Sequence, residues 1–196
     1  MLFRSELPAF SFAIATMNPV ELGQGTFPLS EAATDRFAVM INIGYLPPDE
    51  EVKLVNFDFK RVRLNPLMEK DRIIQLRSAI NEQVFLHERL GRYFQQLVAA
   101  TRPYNPDGDW HVRSPSELVE RGVDLGASPR AIICWGRLAK VWALLSGRRD
   151  VVYPEDIQDL APYILGHRIW LGPHAATHGL TTDVVIKDIL RVVPIP

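Results

Sequence analysis

The chain has 196 residues, a formal net charge of −1 and a pI near 6.5, with 47% hydrophobic and 23% charged residues. That balance fits a globular protein with one sizeable core or two small ones, and it gives no reason to expect bulk electrostatic binding to nucleic acid or to an anionic membrane surface. Cys134 is the single cysteine, so no internal disulfide can form; no apolar run nears the ~20 residues of a membrane span, and the cytoplasm is the expected compartment.

In chain order, "FSFAIAT" (10–16) and "FAVMINIGY" (37–45) are nearly continuous apolar runs, the pattern of strands buried on both faces of a parallel sheet. Between them, Pro and Gly predict a loop, and Ser30 then caps a short helix through about Arg36. "PPDEEVKLVNF" predicts a further helix, its acids in the first turn where the dipole favours them. Near residue 60 the pattern turns helical. Ile73, Leu76, Ile80 and Val84 recur at helical spacing, and Leu90, Tyr93, Phe94, Leu97 and Val98 form a clearer stripe. "ATRPYNPDGDWHVRSPSE" is the longest polar loop.

The stretch "LGASPRAIICW" (125–135) poses a question. Gly126 precedes a helix, Ser128 caps it and Pro129 occupies its first turn, which puts Arg130 at the positive end of the dipole. A cation there is unfavourable by about 0.3–1 kcal/mol, so Arg130 calls for a negative partner. The helix is apolar on most sides through Leu145, which predicts the buried centre of a bundle, with Trp135 and Trp142 on one buried face. Gly147 stops it; Pro154 restarts a helix with Glu155 and Asp156 in its first turn. A last helix near 181–193 presents Ile186, Ile189, Leu190 and Val193 on one face.

Read singly, several residues stay open. Arg36 at a helix end suits the dipole without any further role. Asn18 can brace the turn before Pro19. An acid near Arg130 would suffice to pair it. His167, His174 and His178 match no usual zinc spacing, so no metal site is expected, and Cys134 reads as an inert core thiol. Two strands of buried type also cannot cover each other's faces and edges, so the first part reads as a piece of something larger.

Taken together, "FAIATMNPVE…GTFPLSEAATDRF", "GASPRA", "LLSGRRDVVYPEDIQDLAPYILGHRI" and "DVVIKDILRVVPIP" resemble, in order, the second half of MoxR-family AAA+ ATPases from about residue 8 onward. The resemblance implies an α/β fragment, the remnant of a parallel P-loop NTPase sheet, over residues 1–61, followed by an all-α helical lid over 62–196, mostly helical overall. It implies that Asn18 is the sensor 1 residue orienting the attacking water, that Arg36 is an arginine finger reaching a neighbouring subunit's nucleotide, and that Arg130 is sensor 2, approaching the phosphates. Planar guanidinium donors suit phosphate oxygens, and phosphoryl transfer is mostly positioning and charge stabilisation.

It further implies ATP and Mg2+ as cofactors, a hexameric ring, chaperone-like remodelling of protein complexes, and von Willebrand factor A domain proteins as partners. The sequence departs from the family pattern at one point above all. No G-x-x-x-x-G-K-[ST] occurs, and no apolar strand ending in Asp-Glu precedes "FAIATMNP". The expectation is therefore a truncated ATPase that neither binds ATP tightly nor hydrolyses it alone, with two strands flanking an empty slot. The alternatives are a non-catalytic helical interaction module and one half of a split ATPase whose N-terminal half is encoded separately.

Overall fold

A computed structural model describes residues 10–17, 29–108, 110–148, 150–175 and 179–196. The elements run α1 (Glu31–Thr34), α2 (Pro48–Glu51), α3 (Lys70–Gln83), α4 (Glu88–Ala100), α5 (Glu117–Gly122), β1 (Val123–Leu125), α6 (Arg130–Leu145), α7 (Pro154–Leu165), β2 (Trp170–Leu171) and α8 (Thr182–Val192). The chain is mostly helical, an α/β fragment followed by a helical lid, as the sequence predicts. Among the described residues no helix is long and apolar enough to cross a membrane.

Two compact units are present, one of residues 10–15 with 41–79, the other of 16–17 and 29–40 with the described residues from 80 onward. In the first, the predicted helix after residue 47 is only one turn of α-helix, α2, continued as a 3-10 helix over Val52–Asn56. Apolar side chains of this unit face outward: Ile43 is 91% exposed, and Tyr45, Leu64 and Leu67 are as bare.

The strand expectations for 10–16 and 37–45 are corrected. Residues 11–17 and 39–47 are irregular and exposed, and they enter no ladder. A strand apolar on both faces is stable only between neighbours that take up its N–H and C=O groups, and among the described residues no strand does so. The sheet that does form is small and antiparallel: β1 pairs β2, with Val123 opposite Leu171 and Leu125 opposite Trp170.

The second unit has its own core. α4 contributes Tyr93, Phe94, Leu97 and Val98, α7 contributes Ile157, Ala161, Ile164 and Leu165, and α8 contributes Val185, Ile186 and Ile189. α6 buries Ala131, Trp135, Ala139 and Ala143, one residue every fourth position, so three small side chains let neighbouring helices close in around one large one. Trp135 packs against Phe94 at 5.5 Å between ring centroids and donates its Nε1–H to the carbonyl of Ile157 at 3.1 Å.

The expectation that α6 is the buried centre of a bundle holds for one face of the helix only. Ile133, Leu144 and Leu145 are exposed, and Trp142 is half-buried with its Nε1 donating to Asp159 Oδ2 at 3.3 Å. The helix ends as predicted, with Gly147 at φ +85°.

Local capping fixes the rest. In α5 the Ser116 Oγ accepts from Val119 N, and in α8 the Thr181 Oγ1 accepts from Val184 N. Ser116 also donates to Asp188 Oδ2 at 2.6 Å, while Arg191 donates to Asp188 Oδ1 at 2.6 Å. These two bonds hold the Asp188 carboxyl below its ordinary range. A carboxyl lowered in the folded state adds stability above its unfolded pKa, about 3.9, and loses it as pH falls through the folded value. Asp188→Asn is therefore expected to flatten the acid limb of the stability curve, measured by urea unfolding between pH 5 and 3 (about the carboxylate range), and a limb as steep as that of the parent refutes this.

Candidate functional site

The site is built where α6 begins. Thr101, the C-cap of α4, donates its hydroxyl to Val98 O at 2.7 Å and accepts from Ala127 N at 2.8 Å. At Gly126 a Cβ would lie 2.4 Å from the Thr101 carbonyl oxygen, so only glycine lets this loop cross α4 so closely. Arg102 donates from Nε to Ala127 O at 2.9 Å. These contacts aim residues 126–130. α6 starts one residue later than expected, at Arg130, and Ser128 still serves its end, its Oγ accepting from Arg130 N at 3.2 Å.

Asp35, at the C-cap of α1, is the negative partner that Arg130 called for. Its Oδ2 accepts from Arg130 Nη1 at 3.2 Å, and both carboxylate oxygens lie within 3.0 Å of the Ser128 hydroxyl. A carboxylate at the amino end of α6 also offsets the dipole penalty. The third partner is Arg168, whose Nε donates to Asp35 Oδ1 at 3.1 Å. Burial pushes the Asp35 carboxyl up, but Ser128, Arg130 and Arg168 together outweigh it, and the group titrates below its ordinary value.

The two arginines differ in standing. The Arg168 side chain is 2% exposed, whereas that of Arg130 is 59% exposed. Arg130 thus keeps donors free for another acceptor, and its pairing with Asp35 is of the exposed kind worth about 0–1 kcal/mol. Arg36 follows Asp35 directly and is exposed; its backbone N–H donates to Ala33 O at 3.3 Å, and its side chain makes no hydrogen bond or ion pair to a described residue. The structure therefore brings the neighbour of Arg36 onto Arg130. Asn18 lies outside the described residues, as does His178.

A groove of about 510 Å³ opens beside these groups, lined by Arg102, Arg130, Arg168, Glu31, Asp35 and Asp124 among others. Three cations face three anions, so the groove has no net pull on an anion; what it offers is the displaceable contact at Arg130. Cys134 is half-buried, and burial raises its thiol pKa, so it stays protonated at neutral pH. Burial lowers the pKa of His167, whose Nε2 lies 3.1 Å from Phe37 O; a carbonyl accepts, so that nitrogen carries the proton. Among the described residues no group of three or more His, Cys, Asp or Glu could hold a metal ion.

Sequence reading missed Asp35 and Arg168. The one signal present was weak: in "LGHRIW" Arg168 stands just ahead of Ile169 and Trp170, and a buried arginine there needs a set of acceptors.

The helical second unit falls in a known class: residues 116–189 match the AAA lid domain. The chain is 34% identical to YeaC of Bacillus subtilis over 94% of its length and 53% of that protein. It is 32% identical to chaperone MoxR1 of Mycobacterium tuberculosis, over 97% of this chain and 48% of the relative. It is 31% identical to protein MoxR of Methylorubrum extorquens, over 91% of this chain and 52% of the relative. The crystal structure of a candidate ATPase from Cytophaga hutchinsonii superposes with a TM-score of 0.72 at 35% identity, covering 91% of this chain and 52% of that one. Over nearly all of its length the chain is similar to the C-terminal portion of MoxR-type AAA+ proteins, and residues 116–189 carry the match to the AAA lid. It spans about half the length of the curated relatives it matches.

Proposed function

We propose that residues 1–61 are the rear of an AAA+ nucleotide-binding core and 62–196 its lid, working in an ATP-driven, chaperone-like remodelling machine of the cytoplasm. Arg36 is the arginine finger, delivered in trans to the nucleotide of a neighbouring subunit, so oligomerisation, a hexameric ring in the family, is tied to activity. Arg130 is sensor 2, and Asn18 is sensor 1. Arg130 would hold a phosphate of ATP through its free guanidinium donors; bound Mg2+ supplies charge neutralisation between the phosphates, and no residue described here is assigned to it. With no G-x-x-x-x-G-K-[ST] in the sequence, the chain alone binds ATP weakly and does not turn it over. Remodelling substrates and von Willebrand factor A domain partners enter through the resemblance alone.

The observation that carries this reading is the pairing of adjacent residues with opposite orientations. Asp35 is turned into the protein onto Arg130 and Arg168, while the Arg36 side chain stands exposed and without a hydrogen bond or ion pair among the described residues.

The test is reconstitution. The half of the Cytophaga candidate ATPase that this chain does not match is joined to residues 1–196, and ATP turnover is compared with that of the chain alone. We expect turnover only in the joined protein, and Arg130→Ala to lower kcat/KM roughly 10–100-fold, the loss of a charge-assisted bond to phosphate. Unchanged turnover in the variant removes the sensor role; saturable micromolar ATP binding by the unjoined chain overturns its dependence on a phosphate loop. A second reading, a non-catalytic interaction module, is favoured by the self-contained core of the second unit. It requires partner binding that nucleotide does not change.

A further inference from the structure

The guanidinium of Arg168 has five N–H donors, and all five are used. Nε bonds Asp35 Oδ1 at 3.1 Å. One terminal nitrogen donates to the carbonyls of Ala38, at 3.3 Å, and Ile164. The other donates to the carbonyls of Asp35, at 3.2 Å, and Phe37. Four of the five acceptors lie in the segment 35–38, and the fifth is in α7, the helix just before Arg168. The segment is thus wrapped around one buried cation.

Two further contacts continue the seam. His167 Nε2 reaches Phe37 O, and Met40 N donates to Tyr163 O at 2.9 Å. Residue 36 is the single position of 35–38 that gives Arg168 neither its carbonyl nor its side chain. Its backbone is fixed on both sides, and its side chain is left outward.

From this we infer that Arg168 is the positioning residue for Arg36: it holds residues 35, 37 and 38 so that the side chain at 36 is presented in one direction. The inference deepens the reading of Arg36 as a finger and rests on it. A planar fork with five donors in fixed directions is needed. Lysine has three donors on one nitrogen and cannot reach acceptors spread over three residues of one segment and a helix end. Removing an aim rather than a contact changes the chemical step, because a finger acts on charge in the transition state.

The experiment uses the joined ATPase described above with Arg168→Lys, Arg36→Ala and the double variant. Arg168→Lys keeps the positive charge beside Asp35, so the pairing that protects the fold survives. We expect it to lower kcat at least tenfold with KM for ATP within twofold, and the double variant to be no slower than Arg36→Ala. Loss that adds fully to that of Arg36→Ala shows that Arg168 acts by some other route, and wild-type kcat in Arg168→Lys while Arg36→Ala is defective overturns the inference alone. Wild-type kcat in Arg36→Ala overturns the finger reading instead.

A second measurement on the chain of 196 residues needs no turnover: amide hydrogen exchange. Arg168→Lys is expected to speed exchange at Met40, whose amide bond closes the seam, and to leave the α4 amides of Leu97 and Val98 protected. Unchanged protection at Met40 overturns the clamp; loss in α4 as well shows general unfolding, and Asp35→Asn, which spares the four carbonyl acceptors, then replaces it in the turnover assay with the same double-variant criterion.

Discussion

Arg36→Ala is expected to lower kcat of the reconstituted ATPase about a thousandfold, within the range that arginine fingers supply. In the proposed finger role the effect should fall on kcat, because an arginine finger meets charge that develops as the γ-phosphoryl group leaves and has little to hold beforehand. The same change should leave the stability of the chain untouched, since the Arg36 side chain is exposed and makes no hydrogen bond or ion pair with the described residues. Turnover and thermal unfolding on the same variant read the two halves of this expectation. Mixed assemblies add a directional check: a subunit lacking the finger should slow its neighbour and not itself. A variant that hydrolyses ATP normally, or that is inactive because it melts early, sinks the assignment.

The second large effect concerns the fold. Trp135→Ala should cost about 3–5 kcal/mol, the range for emptying a large aromatic from a closed core. Trp135 is fully buried, touches Phe94, and its Nε1–H donates to the Ile157 carbonyl of α7, so the change removes a buried tertiary hydrogen bond as well as the ring. Small domains hold only about 5–15 kcal/mol in all, so the variant should populate unfolded chain at modest urea. Trp142→Ala is the control. It lies seven residues on, is half-buried and bonds an aspartate at 3.3 Å, so its loss should cost about 1 kcal/mol. Equal losses from the two changes contradict the burial described for α6.

Helix boundaries were legible because their signals are local. Gly147 stops α6, Pro154 opens α7 and Thr181 caps α8, each within a residue or two of the expectation. Ile186 and Ile189 face the core as their spacing requires, whereas Ile133 and Leu145 do not, because periodicity cannot distinguish an apolar residue in the core from one at the surface. The strands at 10–16 and 37–45 were misjudged for a physical reason: apolar β-branched runs specify a strand only when partners accept their backbone groups. At the site, Arg130 could be singled out from its place on the dipole, and its need for an anion was met by Asp35, 95 positions away. Arg168 and Asp35 are 133 positions apart, and no spacing rule connects them. Their meeting is a product of tertiary packing.

The bare apolar side chains between residues 41 and 68 govern how the chain behaves in a tube. Ile43, Tyr45, Leu64 and Leu67 offer sticky surface, and such surface recruits detergent, dye or another protein molecule. Clumping of a concentrated preparation should start from that stretch, ease on chilling because water's aversion to hydrocarbon fades in the cold, and respond weakly to added sodium chloride.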